Sequence, residues 1–361
     1  MSVQISSEAY ESLSQRGLLP PEDPGTGLLP SEPVLRVELY RAKARGSLIG
    51  GAIGDALGRP AEGRPPAQVE RVYGRLTDFI PWRGWQGGPR GTVTDDTQLT
   101  MCVARCLVEC GCLDPEDLAR RFVDWLPEGR GKGQACTAAV HNLIDGKPWH
   151  EAGVESAGNG AAMRAAPIGI AHSLRVDALR LDAALSAVVT HADPMATASA
   201  IAQAYAVAYL LHVRPGELDT DAFLDSLCGA IADLRDPGHP ERRPDSDGFP
   251  VRLVDRIGEL GGLLGQPSAK VFDYLYNGAF VLESLPAAIW CFLEYREDPE
   301  AALTTAVNAG YDADTVASMA GNLAGAHLGE EAFPDRWRED LEYAAELRQL
   351  ADRLIGLSTS S

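Results

Sequence analysis

Apolar residues recur with helical spacing along most of the chain, from residue 34 to residue 357. The segments are rich in Ala and Leu, and their apolar positions repeat about every 3.6 residues, which predicts amphipathic or buried helices. The clearest segments are 99–109, 177–189, 196–212, 221–234, 284–294, 315–328 and 336–355. Alternating runs of β-branched residues, which would indicate strands, are almost absent. The pattern predicts an all-α protein with one compact helical domain over residues 34–361.

The first 33 residues differ from this pattern. Their apolar periodicity is weak, and prolines and glycines interrupt regular structure. The interrupting residues are Pro20, Pro21, Pro24, Gly25, Gly27, Pro30 and Pro33. We therefore expect residues 1–33 to form an extended or poorly ordered N-terminal arm.

Composition limits the classes of partner. The 361 residues carry 51 Asp and Glu against 32 Lys and Arg, a formal net charge of -19. Such a surface repels a polyphosphate backbone, so nucleic-acid binding through a basic surface is not expected. The beginning of the sequence lacks the pattern of a secretory signal, and no apolar run is long enough to span a membrane. We expect a cytoplasmic protein, and the acidic surface favours a monomer.

Three of the seven cysteines, Cys102, Cys106 and Cys110, recur four residues apart, and Cys112 follows closely. This spacing allows a metal or redox cluster, or small buried residues on one face of an apolar helix. No Cys-x-x-Cys pair is present, so we favour the buried helix face.

Two short acidic runs have the same arrangement. Thr94, Asp95 and Asp96 come just before one apolar helix, and Asp312, Asp314 and Thr315 come before another. Asp and Thr are ordinary helix N-caps, so each run alone is explained by capping. If the two acidic pairs converged in the folded protein, their four carboxylates would repel one another unless cations neutralised them. Because the side chains offer only oxygen ligands, they favour two Mg²⁺ ions, or Mn²⁺, over zinc.

Glycines mark three further segments. Gly46, Gly50, Gly54 and Gly58 repeat every four residues in an apolar helix, which predicts close approach to a neighbouring helix or a ligand. Glu62 follows in the next turn, where a glutamate is usually solvated. The segments 129–133 and 156–160 are glycine-rich loops before helices. Each is either an anion nest or a flexible loop.

Six segments in this order resemble the ADP-ribosylglycohydrolase family over about residues 40–328. They are Gly-Asp-Ala-Leu-Gly at 54–58, Gly-Thr-Val-Thr-Asp-Asp-Thr at 91–97, Gly-Asn-Gly-Ala-Ala-Met-Arg at 158–164, Thr-His at 190–191, 278–288 and Asn-Ala-Gly-Tyr-Asp-Ala-Asp-Thr at 308–315. The resemblance implies an all-α fold, a single compact domain of orthogonally packed helices with a binuclear Mg²⁺ or Mn²⁺ cleft. It implies six metal ligands, which are Thr94, Asp95, Asp96, Asp312, Asp314 and Thr315. It also implies seven substrate-binding residues, which are Gly131, Gly133, Ser156, Gly158, Asn159, Gly160 and His191.

The resemblance also implies an activity, the metal-dependent hydrolysis of the glycosidic bond at C1″ of ADP-ribose on a modified acceptor. The candidate catalytic groups are Glu62, as a general acid or a gate for one metal, and Asp96 or Asp314, which would position water. Ala157 stands where some members carry an aromatic residue against adenine, and either Phe280 or Tyr276 could replace it.

Three alternatives compete with this activity: a non-catalytic ADP-ribose or nucleotide-binding module with the same pocket, a nucleotide pyrophosphatase, and a structural role. Intact acidic runs favour the enzyme over the binding module, and no repeated Glu-x-x-Glu pair supports a pyrophosphatase. The acceptor stays open. Its specificity is expected in the loops around Glu62 and residues 82–90, where Trp82 and Trp85 either line the rim or only pack the loop.

Overall fold

The computed structural model describes residues 5–21, 29–30, 34–82, 87–240 and 248–359, and Trp85 lies outside them. The described chain is all-α, as predicted from the sequence. Its helices are α1 Ser7–Gln15, α2 Val37–Gly58, α3 Pro66–Tyr73, α4 Asp95–Cys110, α5 Pro115–Trp125, α6 Gln134–Ile144, α7 Trp149–Ala152, α8 Ala166–Ala171, α9 Val176–Val188, α10 Pro194–Leu211, α11 Thr220–Gly229, α12 Leu253–Gly258, α13 Ser268–Leu275, α14 Val281–Glu294, α15 Pro299–Asn308, α16 Ala313–Leu328, α17 Asp335–Arg338 and α18 Ala344–Thr359. Three short 3₁₀ turns cover Arg59–Ala61, Leu260–Leu263 and Glu330–Ala332. Two strands, β1 His239–Pro240 and β2 Pro250–Val251, pair antiparallel.

The glycine repeat of α2 packs directly against the backbone of α16. A Cβ added to Gly54 would lie 2.1 Å from the carbonyl oxygen of Ala317, and one added to Gly58 would lie 2.3 Å from Cα of Asp314. Gly46 and Gly50 meet the α16 backbone in the same way. Only glycine allows the two backbones to come this close. The packing of α2 against α16 outweighs the propensity cost of glycine in a helix, which is about 1 kcal/mol per residue relative to Ala. The repeat therefore places the end of α2 beside the start of α16.

Helix α10 lies in the core of the molecule. It is long and apolar enough to cross a membrane by length and composition alone, but 89% of its residues are buried by the other helices. A helix that is apolar on all sides is expected at such a position in a large domain.

The N-terminal segment differs from its prediction. Residues 7–15 form α1, which Ser6 caps by accepting a hydrogen bond from the amide of Ala9 at 3.2 Å. Ala9 and Leu13 are buried in the common hydrophobic core. The prediction of an extended or poorly ordered arm is therefore wrong for this segment, because a single short amphipathic helix precedes the prolines. Residues 1–4, 22–28 and 31–33 lie outside the described residues.

The cysteines of α4 pack as small side chains. Cys102 and Cys106 are buried, and all seven cysteines, which lie within the described ranges, are free thiols. Cys106, Cys110 and Asp117 have potential ligand atoms within 4.8 Å of one another, but Asp117 forms an ion pair with Arg121. Burial raises the pKa of Cys102 to about 11 and raises the pKa of Cys106 further, so both are protonated thiols in the metal-free protein.

Candidate functional site

The two acidic runs, 218 positions apart at Asp96 and Asp314, meet in the structure. Thr94 and Asp312 are the residues immediately before α4 and α16, and neither side chain makes a capping hydrogen bond within the described residues. The Thr315 hydroxyl instead donates to Oδ2 of Asp96 at 3.4 Å, across 219 residues of sequence. The Thr94 hydroxyl lies 3.3 Å from the same oxygen. Capping alone therefore does not explain the two runs, because their side chains turn towards one another.

Asp55 of α2 takes over the capping of α4. Its carboxylate accepts hydrogen bonds from the Thr94 amide at 2.9 Å, the Thr94 hydroxyl at 2.8 Å, the Thr97 amide at 3.1 Å and the Thr97 hydroxyl at 2.5 Å. Asp55 is fully buried. Sequence reasoning gave this residue no role, although a carboxylate inside a glycine-rich apolar helix was a usable signal. By binding the first turn of α4, Asp55 leaves the carboxylates of Asp95 and Asp96 available.

Burial and mutual repulsion raise the pKa values of the carboxylates in the acidic cluster. Asp55, Asp96 and Asp314 each have a carboxylate oxygen within 4.8 Å of the others. Burial, followed by the neighbouring carboxylate of Asp312, raises the pKa of Asp314 to about 7. Burial and the surrounding carboxylates also raise the pKa values of Asp95 and Asp96 well above their ordinary range. Without a cation these groups are driven towards protonation, so a cation would be strongly favoured here.

The donor set suits a hard metal ion. Oδ1 of Asp96 is buried and has no hydrogen-bond partner among the described residues. A buried carboxylate oxygen without a partner is costly, and a metal ion would supply the missing contact. Carboxylate and hydroxyl oxygens surround this atom, which is the ligand chemistry of Mg²⁺ or Mn²⁺. The acidic cluster could therefore bind a metal.

Glu62 lies at the edge of this cluster beside a cation that the sequence analysis did not identify. The side chain is 32% exposed and forms an ion pair with Arg59. The same guanidinium lies 3.9 Å from Oδ2 of Asp314 and stacks on Trp82, 4.2 Å from its ring centroid. Arg59 thus connects Glu62 to the acidic cluster, and Trp82 packs beneath it.

Both glycine loops reach the cluster. The amide of Gly133 donates to Oδ2 of Asp95 at 3.2 Å, and a Cβ at Gly131 would lie 3.1 Å from Oδ1 of the same residue. The second loop reaches the cluster through the Asn159 side-chain amide, which donates to Oδ2 of Asp312. The structure therefore brings the predicted metal ligands and the two predicted substrate loops together.

The second loop is supported from inside by His191. This histidine is 2% exposed, its Nδ1 pairs with the Thr190 hydroxyl at 2.8 Å, and a Cβ at Gly160 would lie 2.7 Å from its Cε1. Burial, and then the charge of Arg164, lower the pKa of His191 to about 3, so the ring is neutral. The described structure places His191 beneath the loop rather than on its open surface.

Further polar contacts, within the second loop and beneath it, hold its conformation. Ser156 is half-buried and accepts a hydrogen bond from the Gly158 amide at 3.2 Å. Arg164, also given no role from sequence, is fully buried and donates to the Gly160 carbonyl at 2.8 Å and to the Thr190 hydroxyl at 2.7 Å. The loop is therefore held in one conformation by buried polar groups beneath it.

The two aromatic residues considered for adenine lie in different environments. Phe280 is buried, pairs through its backbone with Gly158, and meets the ring of His239 edge-on at 5.7 Å. Tyr276 is 40% exposed and stacks on Tyr311 with 4.7 Å between the ring centroids. Of the two, only Tyr276 presents a large exposed ring.

Comparison with known proteins identifies relatives over most of the chain. The family model described as ADP-ribosylglycohydrolase matches residues 36–361. The chain is 32% identical to ADP-ribosylhydrolase ARH3 of Homo sapiens over 340 residues, covering 87% of this chain and 93% of that protein. It is 31% identical to an uncharacterized protein of Archaeoglobus fulgidus over 317 residues, covering 87% and 96%.

Among solved structures, one described as an ADP-ribosylglycohydrolase-related protein complex superposes with a TM-score of 0.72 at 30% identity, covering 90% of this chain and all of that one. A family model over most of the chain, relatives above 30% identity and a shared fold lead to one conclusion. The chain belongs to the ADP-ribosylglycohydrolase family.

Proposed function

We propose that the protein hydrolyses the glycosidic bond at C1″ of ADP-ribose and releases ADP-ribose from a modified acceptor, with two Mg²⁺ or Mn²⁺ ions. The observation that supports this proposal is the meeting of the two acidic runs with both glycine loops at one cluster. Thr315 contacts Asp96, Asn159 contacts Asp312, and Gly133 contacts Asp95.

Six side chains would hold the metal ions, namely Thr94, Asp95, Asp96, Asp312, Asp314 and Thr315. The ions, when bound, would polarise the ribose hydroxyls and lower the pKa of bound water. The protein's part is to keep the ligands in place before substrate arrives. Asp55 fixes the first turn of α4 with four hydrogen bonds. Such preorganisation avoids a reorganisation cost during the reaction.

The glycine loops would orient the rest of the substrate. Gly131 and Gly133 lie against Asp95, and Gly158 and Gly160 cover His191. With no side chains at these positions, a ribose and diphosphate can approach the backbone closely, and their binding energy aligns C1″ with the cluster. His191 and Arg164 support this loop from below.

Glu62 is the proposed acid or base at the bond that breaks. It is partly exposed, unlike the buried aspartates, and Arg59 fixes its side chain at the edge of the cluster. Either Glu62 or a carboxylate of the cluster, Asp96 or Asp314, holds the attacking water. The transition state resembles an oxocarbenium ion, so nearby carboxylates stabilise its positive charge.

The test is ADP-ribose release from modified peptides, measured with Mg²⁺ and with EDTA. We expect that EDTA abolishes the release of ADP-ribose and that added Mg²⁺ restores it. Tight ADP-ribose binding with no release under any metal condition would contradict it and support the non-catalytic binding module instead.

A further inference from the structure

A cavity of about 490 Å³ opens beside the acidic cluster, between the end of α2 and residues 80–82. Arg59, Glu62, Arg64, Tyr73 and Trp82 are among the residues that line it. Arg59 and Glu62 belong to the cavity and also border the cluster, since Arg59 lies 3.9 Å from Oδ2 of Asp314. A bond cleaved at the cluster near Glu62 would therefore have its leaving group in this cavity.

The charge of this cavity is opposite to that of the whole chain. The protein has a net charge of -19, yet the charged side chains among the described residues that line the cavity are two arginines and one glutamate. Arg59 is neutralised by Glu62 and stacked on Trp82. Within the described ranges, no carboxylate forms an ion pair with Arg64, so its charge is available to a ligand.

Arg64 is held firmly at this position. Its Nε donates to the Pro60 carbonyl at 3.0 Å. Its carbonyl accepts from the Tyr311 amide at 2.7 Å, and the neighbouring Gly63 amide donates to the Tyr311 carbonyl at 2.6 Å. Tyr311 directly precedes Asp312 in the sequence. The arginine is thus fixed relative to the acidic cluster, as a specificity residue must be.

We propose that this cavity is the acceptor subsite and that Arg64 selects an acceptor that carries negative charge beside the glycosidic bond, such as a phosphate. The inference rests on the proposed hydrolase function. A guanidinium is the side chain best suited to bind phosphate oxygens, whereas a positively charged acceptor would be repelled by it. An arginine-linked ADP-ribose is accordingly the poorest substrate.

For a phosphate acceptor the reaction balances without another reactant. Water adds to C1″, and the bond from C1″ to the phosphate oxygen breaks with its electron pair on that oxygen. One proton of the water stays on the new hydroxyl of ADP-ribose, and the other goes to the phosphate. Arg64 binds the charge that is present before and after cleavage.

The experiment compares kcat/KM for ADP-ribose 1″-phosphate, a serine-linked ADP-ribosyl peptide and an arginine-linked ADP-ribosyl peptide. It uses the wild-type chain, Arg64→Ala, Arg64→Glu and the control Arg71→Glu. Arg71 is exposed on α3, so its replacement makes the same charge change outside the cavity. Thermal unfolding of each variant reports whether it is folded.

We expect the wild-type order to be phosphate, then serine, then arginine. Arg64→Ala should lower the ratio of kcat/KM for phosphate over serine about tenfold, because one charge-assisted contact is lost. Arg64→Glu should lower it further and raise the relative rate on the arginine-linked peptide, and Arg71→Glu should leave the ratios unchanged.

The two proposals fail in different ways. Hydrolysis in which the arginine-linked or serine-linked peptide is preferred, or in which Arg64→Ala changes all substrates equally, overturns the acceptor assignment and leaves the hydrolase function intact. Hydrolysis of none of the three with Mg²⁺ present overturns the hydrolase function, and the acceptor assignment falls with it.

Discussion

Replacement of Asp55 by alanine tests how the site is assembled. Asp55 accepts hydrogen bonds from the buried amides of Thr94 and Thr97, at 2.9 and 3.1 Å. Leaving a buried donor without an acceptor costs about 1–3 kcal/mol. Two such donors therefore predict a loss of about 2–6 kcal/mol in the free energy of unfolding, a large part of a typical stability of about 5–15 kcal/mol. The first turn of α4, which carries Asp95 and Asp96, should loosen as well.

Two measurements follow this change. Urea unfolding gives the loss of stability, and calorimetric titration with Mg²⁺ gives the metal affinity. We expect both to fall in Asp55→Ala, and Asp55→Asn, which keeps one acceptor oxygen, to lie between it and the wild type.

A matched control separates capping from the site. Asp298 caps α15 by accepting from the Ala301 amide at 3.0 Å at an exposed position. Asp298→Ala should cost about 1 kcal/mol and leave Mg²⁺ affinity unchanged. If Asp55→Ala behaves like this control in both assays, Asp55 does not organise the cluster.

Three further predictions address the cluster and the helix contact. Asp314→Ala should abolish ADP-ribose release and weaken Mg²⁺ binding, measured beside the exposed control Asp335→Ala; full activity would remove Asp314 from the mechanism. Gly54→Ala should lower the free energy of unfolding by about 2–3 kcal/mol or more, because its Cβ would lie 2.1 Å from a carbonyl oxygen of α16. The control Gly262→Ala, which has open space around the new Cβ, should change the free energy of unfolding by less than about 1 kcal/mol. Equal losses in the two variants would argue against a tight contact between α2 and α16. In EDTA the wild type should lose more melting temperature between pH 5 and pH 8 than Asp314→Asn does. Burial raises the pKa of Asp314 to about 7, so the folded state binds a proton more tightly than the unfolded state, and this stabilisation is lost as pH rises through 7. The comparison with Asp314→Asn cancels the effect of the buried histidines, whose lowered pKa values act in the opposite direction. Mg²⁺ should reverse the loss above pH 7, and an equal pH dependence of the two proteins in EDTA would contradict the charge repulsion in the cluster.

The helical class and the acidic runs were predictable because both are local patterns. Apolar periodicity identified the long helices, and the pairing of two carboxylates with a threonine marked residues 94–96 and 312–315. Helix α1 was not found, because nine residues carry too few turns for a clear period and the prolines that follow dominate the local composition.

The roles of several residues depend on contacts that local sequence does not contain. Arg59 is an ordinary arginine in the sequence, yet the packing of α2 against α16 places it beside Asp314. The sequence predicts that His191 contacts the substrate, yet in the structure the glycine loop covers this side chain. In each case the deciding contact joins residues far apart in the chain.

The sequence by itself determined that the chain forms helices, that two helices begin with acidic runs, and that four glycines repeat along one face of α2. Tertiary structure alone decided that Asp55 caps α4, that the two runs form one cluster, and that a cavity with Arg64 opens beside it. The physical reason is that backbone propensity and periodicity act over a few residues, whereas burial and the repulsion between carboxylates arise only when distant helices pack together.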